Sequence, residues 1–151
     1  MRKEKLDQLA ERMSKEITES LGGFMPKVPR GFLDMELGPP HIHTLEIISR
    51  CKKPPKISEI GRRLSISFAM MTHIIDRLES KELLRRESDA KDRRIIRIKL
   101  NRKGKALIER MKNFHKRHIL NMLSKFEEKD RKEFVEAMDT ILNILLKYRR
   151  G

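Results

Sequence analysis

KISEIGRRLSISFAMMTHIIDRLE, residues 56–79, holds two short amphipathic helix patterns separated by a tight turn. In the first, Ile57, Ile60 and Leu64 recur at spacings of three and four, with Ser58 expected as the N-cap. Ser65-Ile66-Ser67 turns the chain. Ser67 is then placed to cap a second helix, in which Met71, Ile74, Ile75 and Leu78 follow the i, i+3, i+4, i+7 pattern of a buried face. The opposite face carries Ala69, Met70, His73 and Arg77, with Thr72 at its flank, groups suited to base edges and phosphates. Two such helices joined by a short turn form a helix-turn-helix signature.

Downstream, Leu83-Leu84-Arg85-Arg86-Glu87-Ser88 precedes the polar stretch Asp89-Ala90-Lys91-Asp92-Arg93-Arg94. Ile96, Ile98 and Leu100 then alternate with Ile95, Arg97 and Lys99, the period-two pattern of a half-buried strand. Two strands joined by a charged tip directly after the second helix predict a wing. From Asn101, a good N-cap, Leu107, Met111, Phe114, His118, Met122 and Phe126 trace a long helix. Phe134, Met138, Ile141, Leu142, Leu145 and Tyr148 trace a final one.

Upstream, Ile42, Leu45, Ile47 and Ile48 begin a short helix after Pro39-Pro40, which Pro54-Pro55 forbid from continuing past about Cys51. Residues 24–40 form a proline-rich connector that is long for a compact domain, and Phe24, Phe32 and Leu37 are expected to order it by packing. Leu6, Leu9, Met13, Ile17 and Leu21 define an N-terminal amphipathic helix ending at Gly22-Gly23. Neither this helix nor the last one has an obvious partner within a small winged domain. The fold class is therefore mainly α with a β wing.

The 151 residues carry 36 Lys+Arg against 22 Asp+Glu, a formal charge of +14. The excess is local: residues 49–105 hold 18 basic and 7 acidic side chains (net +11), whereas residues 1–48 carry net −1 and residues 106–151 net +4. A module that meets a polyanion, flanked by segments with another purpose, has such a distribution, although a solvated basic face would share it. No apolar run is long enough to span a bilayer, and the basic start lacks the apolar stretch and cleavage site of a signal peptide, so no membrane contact and a cytoplasmic location are expected. The single Cys51 excludes an intrachain disulfide and Cys-paired zinc modules.

The order of these elements, together with Ile75-Asp-Arg-Leu-Glu79, Asp89-Ala-Lys-Asp-Arg-Arg94 and Leu100-Asn-Arg-Lys-Gly104, resembles the MarR family of transcription regulators along nearly the whole chain. The resemblance implies one MarR-type domain over 1–151. Residues 1–36 would supply the N-terminal dimerisation helix and connector, residues 37–101 the winged helix-turn-helix lobe, and residues 102–151 the C-terminal dimerisation helices. It also implies a homodimer on a pseudo-palindromic double-stranded operator, commonly a repressor released by a small molecule, an oxidant or a metal. Three positions depart from the family pattern: Glu82 stands where glycine is usual, Asn101 where Thr or Ser is usual, and the 24–40 connector is longer.

By resemblance, Arg93 or Arg94 enters the minor groove and Lys91 lies near phosphate, while Asp89 and Asp92 orient the arginines. His73 and Arg77 are the polar base contacts, and Met70 or Ala69 meets a thymine methyl unless Met70 belongs to the lobe core. Ser67, Thr72, Arg62 and Arg63 contact phosphates. Leu6, Leu9, Met13 and Ile17, with Phe134, Met138, Ile141, Leu142 and Leu145, form the dimerisation set. An effector is expected near Phe24, His41, Met111, Phe114 and His115, although such a stripe also suits dimer core.

No metal or cofactor is assigned. His41, His43, His115 and His118 are the metal candidates, but positions 41 and 43 point about 200° apart on a helix, which favours ordinary polar or capping roles. Cys51 beside Lys52-Lys53 is a candidate oxidant sensor, against the commoner role of a small buried apolar group. A nonspecific architectural DNA- or RNA-binding protein is the alternative function, although one tyrosine and no tryptophan argue against single-strand stacking. No glycine-rich phosphate loop, G-x-S-x-G elbow or H-E-x-x-H motif supports an enzyme.

Overall fold

The computed structural model describes residues 3–19, 29, 32 and 34–148, without the side chains of residues 17 and 18. The glycine stop at residues 22–23, Phe24 and the Ile17 side chain lie outside the described residues. In chain order the elements are α1 (Lys3–Glu19), α2 (Pro39–Arg50), α3 (Ile57–Leu64), α4 (Phe68–Ser80), β1 (Leu84–Ser88), β2 (Ile96–Leu100), α5 (Arg102–Leu123) and α6 (Glu128–Tyr148).

Two compact units emerge, one spanning residues 28–114 and the other holding α1, the end of α5 and α6. The first, the lobe, is built around one core to which every element from α2 to α5 contributes. Leu45, Ile60, Met71, Ile75, Leu78, Leu83, Leu84 and Ile98 are fully buried there. Leu107, Ile108 and Met111 join the same core, so the lobe runs past residue 101 and takes in the first part of α5. Truncating one of these leucines to alanine costs about 2–5 kcal/mol, because the transfer energy and the cavity both count.

Local chemistry sets the boundaries. Pro39 and Pro40 open α2, where their missing N–H groups are not needed. The first helix of the helix-turn-helix begins one residue before the expected cap. Lys56, not Ser58, is the N-cap of α3, and its N–H donates to Glu59 Oε2 at 2.9 Å. Ser65 ends α3 in the left-handed conformation, at φ 54°. Ser67 caps α4 as the sequence predicts, its hydroxyl accepting from the Met70 N–H at 3.3 Å.

β1 and β2 pair antiparallel with Leu84 opposite Leu100 and Ser88 opposite Ile96. The turn into β1 places Glu82 at φ 60°. The left-handed turn that glycine usually makes is thus kept with a glutamate in it, at a cost of about 1 kcal/mol. Asn101 precedes α5, and its side chain reaches back to the hairpin: its amide donates to the Glu82 and Leu84 carbonyls at 3.2 Å, and Oδ1 accepts from Arg85 at 3.1 Å. One turn on, a Cβ at Gly104 would stand 2.0 Å from the Leu83 carbonyl oxygen, so only glycine allows α5 to lie this close to the start of the wing.

In the other unit, the Arg131 guanidinium donates at 2.9 Å to the Leu123 and Phe126 carbonyls, satisfying groups that the end of α5 leaves unpaired. Phe126 and Phe134 meet edge to face with centroids 5.4 Å apart. α6 has no buried residue within the single chain.

Candidate nucleic-acid interface

Burial of Met71, Ile74, Ile75 and Leu78 fixes the rotation of α4 and turns Phe68, Ala69, Met70, His73, Asp76 and Arg77 to solvent, with Thr72 half-buried. Met70, 56% exposed, is outside the lobe core. The Thr72 hydroxyl donates to the Phe68 carbonyl at 2.9 Å. Arg77 is ion-paired with Glu36. Arg62 and Arg63 are exposed on α3, and the Arg63 guanidinium donates to Cys51 Sγ at 3.4 Å.

The wing tip is organised by Asp89, which is 7% exposed. Its Oδ1 accepts from the Lys91 and Asp92 N–H groups at 2.9 and 3.3 Å, and its Oδ2 accepts from the Arg97 guanidinium. The bond from Arg97, together with those backbone N–H groups, holds the Asp89 carboxyl well below the usual carboxylate range. Arg97 also donates to the Pro54 carbonyl at 2.9 Å, and the Ile98 N–H donates to the Pro55 carbonyl at 2.8 Å, so the proline segment preceding α3 is fastened to the wing. The sequence assigns Asp89 and Asp92 to the tip arginines. The structure instead gives Asp89 to Arg97, the half-buried guanidinium beside it on β2, while Asp92 Oδ1 accepts the Arg94 backbone N–H at 3.0 Å. Lys91, Arg93 and Arg94 are exposed, and none has an ion-pair partner among the described residues.

A second junction that sequence reasoning missed ties α4 to β1. Arg86 donates to Asp76 at 2.6 Å and pairs with Glu79, whose carboxylate also accepts the Arg86 N–H at 3.1 Å. Desolvation opposes the guanidinium charge, but the bonds to Asp76 and Glu79 outweigh it and raise the pKa. The three-residue spacing of Asp76 and Glu79 on one helix face was the available signal. At the hairpin edge, Arg85 lowers the pKa of Glu87 by hydrogen bonding.

Of the expected effector residues, Phe24 lies outside the described residues. Met111 is a core residue at 3% exposure, Phe114 and His115 are half-buried, and His41 is half-buried with Nδ1 lacking a hydrogen bond. Burial lowers the pKa of His41, with Arg77 and Lys81 adding to it; the Gly38 backbone opposes the shift but lies outside hydrogen-bond geometry to Nδ1. His43 is exposed. Among the described residues no group of three or more His, Cys, Asp or Glu side chains is placed to hold a metal ion. A groove of about 590 Å³ lies elsewhere in the lobe, between the end of α2, β2 and α5, lined by Ile48, Cys51, Pro54, Ile98 and Lys105 among others.

Leu6, Met13, Met138, Ile141, Leu142 and Leu145 are all exposed, while Leu9 and Phe134 are half-buried. Among the described residues no helix is long and apolar enough to cross a membrane.

Residues 37–96 match the family model described as the MarR family. The chain is 29% identical over 94 residues to the HTH-type transcriptional regulator MhqR of Bacillus subtilis, covering 62% of this chain and 64% of the relative, so it spans less than two thirds of that protein's length. Among solved structures, the YusO protein of Bacillus subtilis matches with a TM-score of 0.73 at 23% identity, over 91% of this chain and 96% of that one. The S. aureus MepR–DNA complex matches with a TM-score of 0.66 at 18% identity, over 92% and 98%. At these identities the two structures speak for the fold.

Proposed function

We propose that this chain, whose residues 37–96 match the MarR family model, is a MarR-type, sequence-specific double-stranded DNA-binding transcription regulator. The observation that carries this reading is the wing tip, where Lys91, Arg93 and Arg94 stand exposed with no ion-pair partner among the described residues, together with a capped helix whose open face carries Ala69, Met70 and His73. The S. aureus relative bound to DNA supports the same partner. In this reading α4 enters the major groove as the recognition helix, Arg93 and Arg94 follow the narrow minor groove, and Lys91, Ser67, Thr72, Arg62 and Arg63 meet phosphates. Asp89 acts at one remove, fixing the loop from which the arginines project.

The functional unit is a homodimer on a pseudo-palindromic operator. The exposed apolar residues of α1 and α6 support it, since apolar side chains left uncovered along two amphipathic helices suit burial against a second copy. It acts in the cytoplasm as a repressor released by a small-molecule effector, and the lobe groove has a volume suited to such a ligand.

The test is selection of bound duplexes from a random DNA pool, followed by comparison with scrambled DNA at constant salt. An inverted repeat with half-sites about one helical turn apart is the expected result. Tight, salt-sensitive binding with no enriched sequence would overturn it in favour of an architectural protein.

A further inference from the structure

Among the described residues of the lobe, the exposed large hydrophobic side chains are Phe68, Met70 and Ile96. Two of the three sit in the first turn of α4, and Phe68, at its first position, is 66% exposed. A phenyl ring is otherwise among the side chains a core takes up first, and this lobe has a core within reach of the same helix. The rotation of α4 is set by Met71, Ile74, Ile75 and Leu78, and that rotation leaves Phe68 facing outward.

Several polar groups around it are engaged within the helix itself. The Ser67 hydroxyl accepts the Met70 N–H, the Ser67 carbonyl accepts the Met71 N–H at 2.9 Å, and the Phe68 carbonyl accepts the Thr72 hydroxyl. What the first turn offers is therefore mostly carbon: the Phe68 ring, the Ala69 methyl and the Met70 thioether. A phosphate gains nothing from a phenyl ring. In the major groove the one apolar group that distinguishes a base is the 5-methyl of thymine, and the N-terminal residues of a recognition helix are those that approach base edges.

We infer that Phe68 is a specificity-determining residue, its ring packing on a thymine 5-methyl group in each half-site. This rests on the DNA-binding reading above. His73, five residues or about 1.4 turns further along α4, supplies a polar contact elsewhere in the same half-site.

The experiment uses the full chain and the duplex recovered by selection. Each thymine in both half-sites is replaced in turn by deoxyuridine, which pairs identically and lacks only the methyl group. Binding is measured at fixed salt for the wild type, Phe68→Ser and Phe68→Leu. For the wild type, one symmetric pair of thymines is expected to stand out, with a loss of about fourfold per methyl group, as the transfer of one buried carbon group implies. Phe68→Ser should bind the thymine duplex correspondingly more weakly and be indifferent to the replacement, while Phe68→Leu retains part of the preference.

A thymine-to-uracil ratio unchanged in Phe68→Ser would overturn the assignment, as would a wild type indifferent at every position. A variant that unfolds at lower temperature and loses both duplexes equally would make Phe68 a packing residue and overturn it too. If the wild type enriches no duplex at all, the DNA-recognition reading fails first and takes this inference with it. The two failures are distinguishable because scrambled DNA is measured alongside.

Discussion

The Arg77 guanidinium, on the exposed side of α4, is held by the carboxylate of Glu36, which comes forty-one positions earlier and has φ at 54°. An arginine that the sequence assigns to base contact is thus neutralised by the segment leading into α2. Both side chains are well exposed, so the pair adds no more than about 1 kcal/mol to stability. Its larger consequence is competition, since one guanidinium cannot serve Glu36 and a guanine edge at once. Glu36→Gln is expected to tighten binding to the preferred duplex several-fold, and Arg77→Ala to remove that gain and relax base preference. Fluorescence anisotropy against preferred and scrambled duplexes checks both, and equal affinity of Glu36→Gln and wild type would dismiss the competition.

Arg93→Ala and Arg94→Ala should each weaken binding and reduce the slope of log affinity against log salt by about 1 where the arginine releases a counterion. As exposed, unpaired side chains they should shift folding stability by no more than about 0.5 kcal/mol. Salt titrations beside thermal unfolding separate the two effects. Unchanged affinity in both variants would remove the wing from the interface.

Gly104→Ala puts a methyl group 2.0 Å from the Leu83 carbonyl oxygen, which is backbone and has little freedom to yield. Overpacking of this kind costs about 1–3 kcal/mol or more, so a clear fall in melting temperature is expected. Ala106→Gly, exposed on the same helix, should cost only about 1 kcal/mol through propensity. Equal melting of the two variants would contradict the close approach.

Asp89 titrates lower in the folded chain than at its unfolded value of about 3.9. A depressed carboxylate pKa gives stability that is complete above the unfolded value and fades as pH falls below it. Urea unfolding as a function of pH should therefore show a steeper acid loss for the wild type than for Asp89→Asn below about pH 4. At neutral pH the variant should be the less stable, because Arg97 keeps its buried position without its anion. Parallel acid limbs would refute the role given to Asp89.

His41 has a pKa lowered by burial from 6.5, so the folded chain favours its neutral ring. The stability tied to that ring is present above pH 6.5 and declines as pH falls toward the folded value. A proton NMR titration should find one histidine titrating below the ordinary range and lost in His41→Gln. Titration at or above 6.5 would reverse the sign.

The helix-turn-helix was legible because its apolar spacings are local and short, and the wing because Ile96, Ile98 and Leu100 alternate cleanly. The Ser67 cap followed from the same logic. Ser58 misled because an N-cap hydroxyl is only one way to start a helix. Glu59, bonding back to the Lys56 N–H, starts α3 earlier, and a carboxylate three residues on is a weaker signal. The partner of Asp89 was not legible, since several arginines lie within reach in sequence and burial chooses among them, and the shared face of Asp76 and Glu79 signalled a cation without naming Arg86. Arg97 reads as the polar side of a strand, yet it is 14% exposed and spans from Asp89 to Pro54. Phe68 escaped notice because a phenylalanine beside a helical apolar face is read as core, and the rotation of α4 is needed to place it outside.

α6 buries nothing within its own chain, and Leu145 there is 60% exposed. In the proposed dimer this makes folding a question of mass action, because a helix stabilised by a second copy has no fixed melting temperature of its own. Dilution would loosen the arms before the self-contained lobe, and heating curves would climb with protein concentration. Synthesis rate would then set two quantities together, the number of regulator molecules and the fraction of them whose arms are intact, so that occupancy of a target would respond to expression more steeply than in simple proportion.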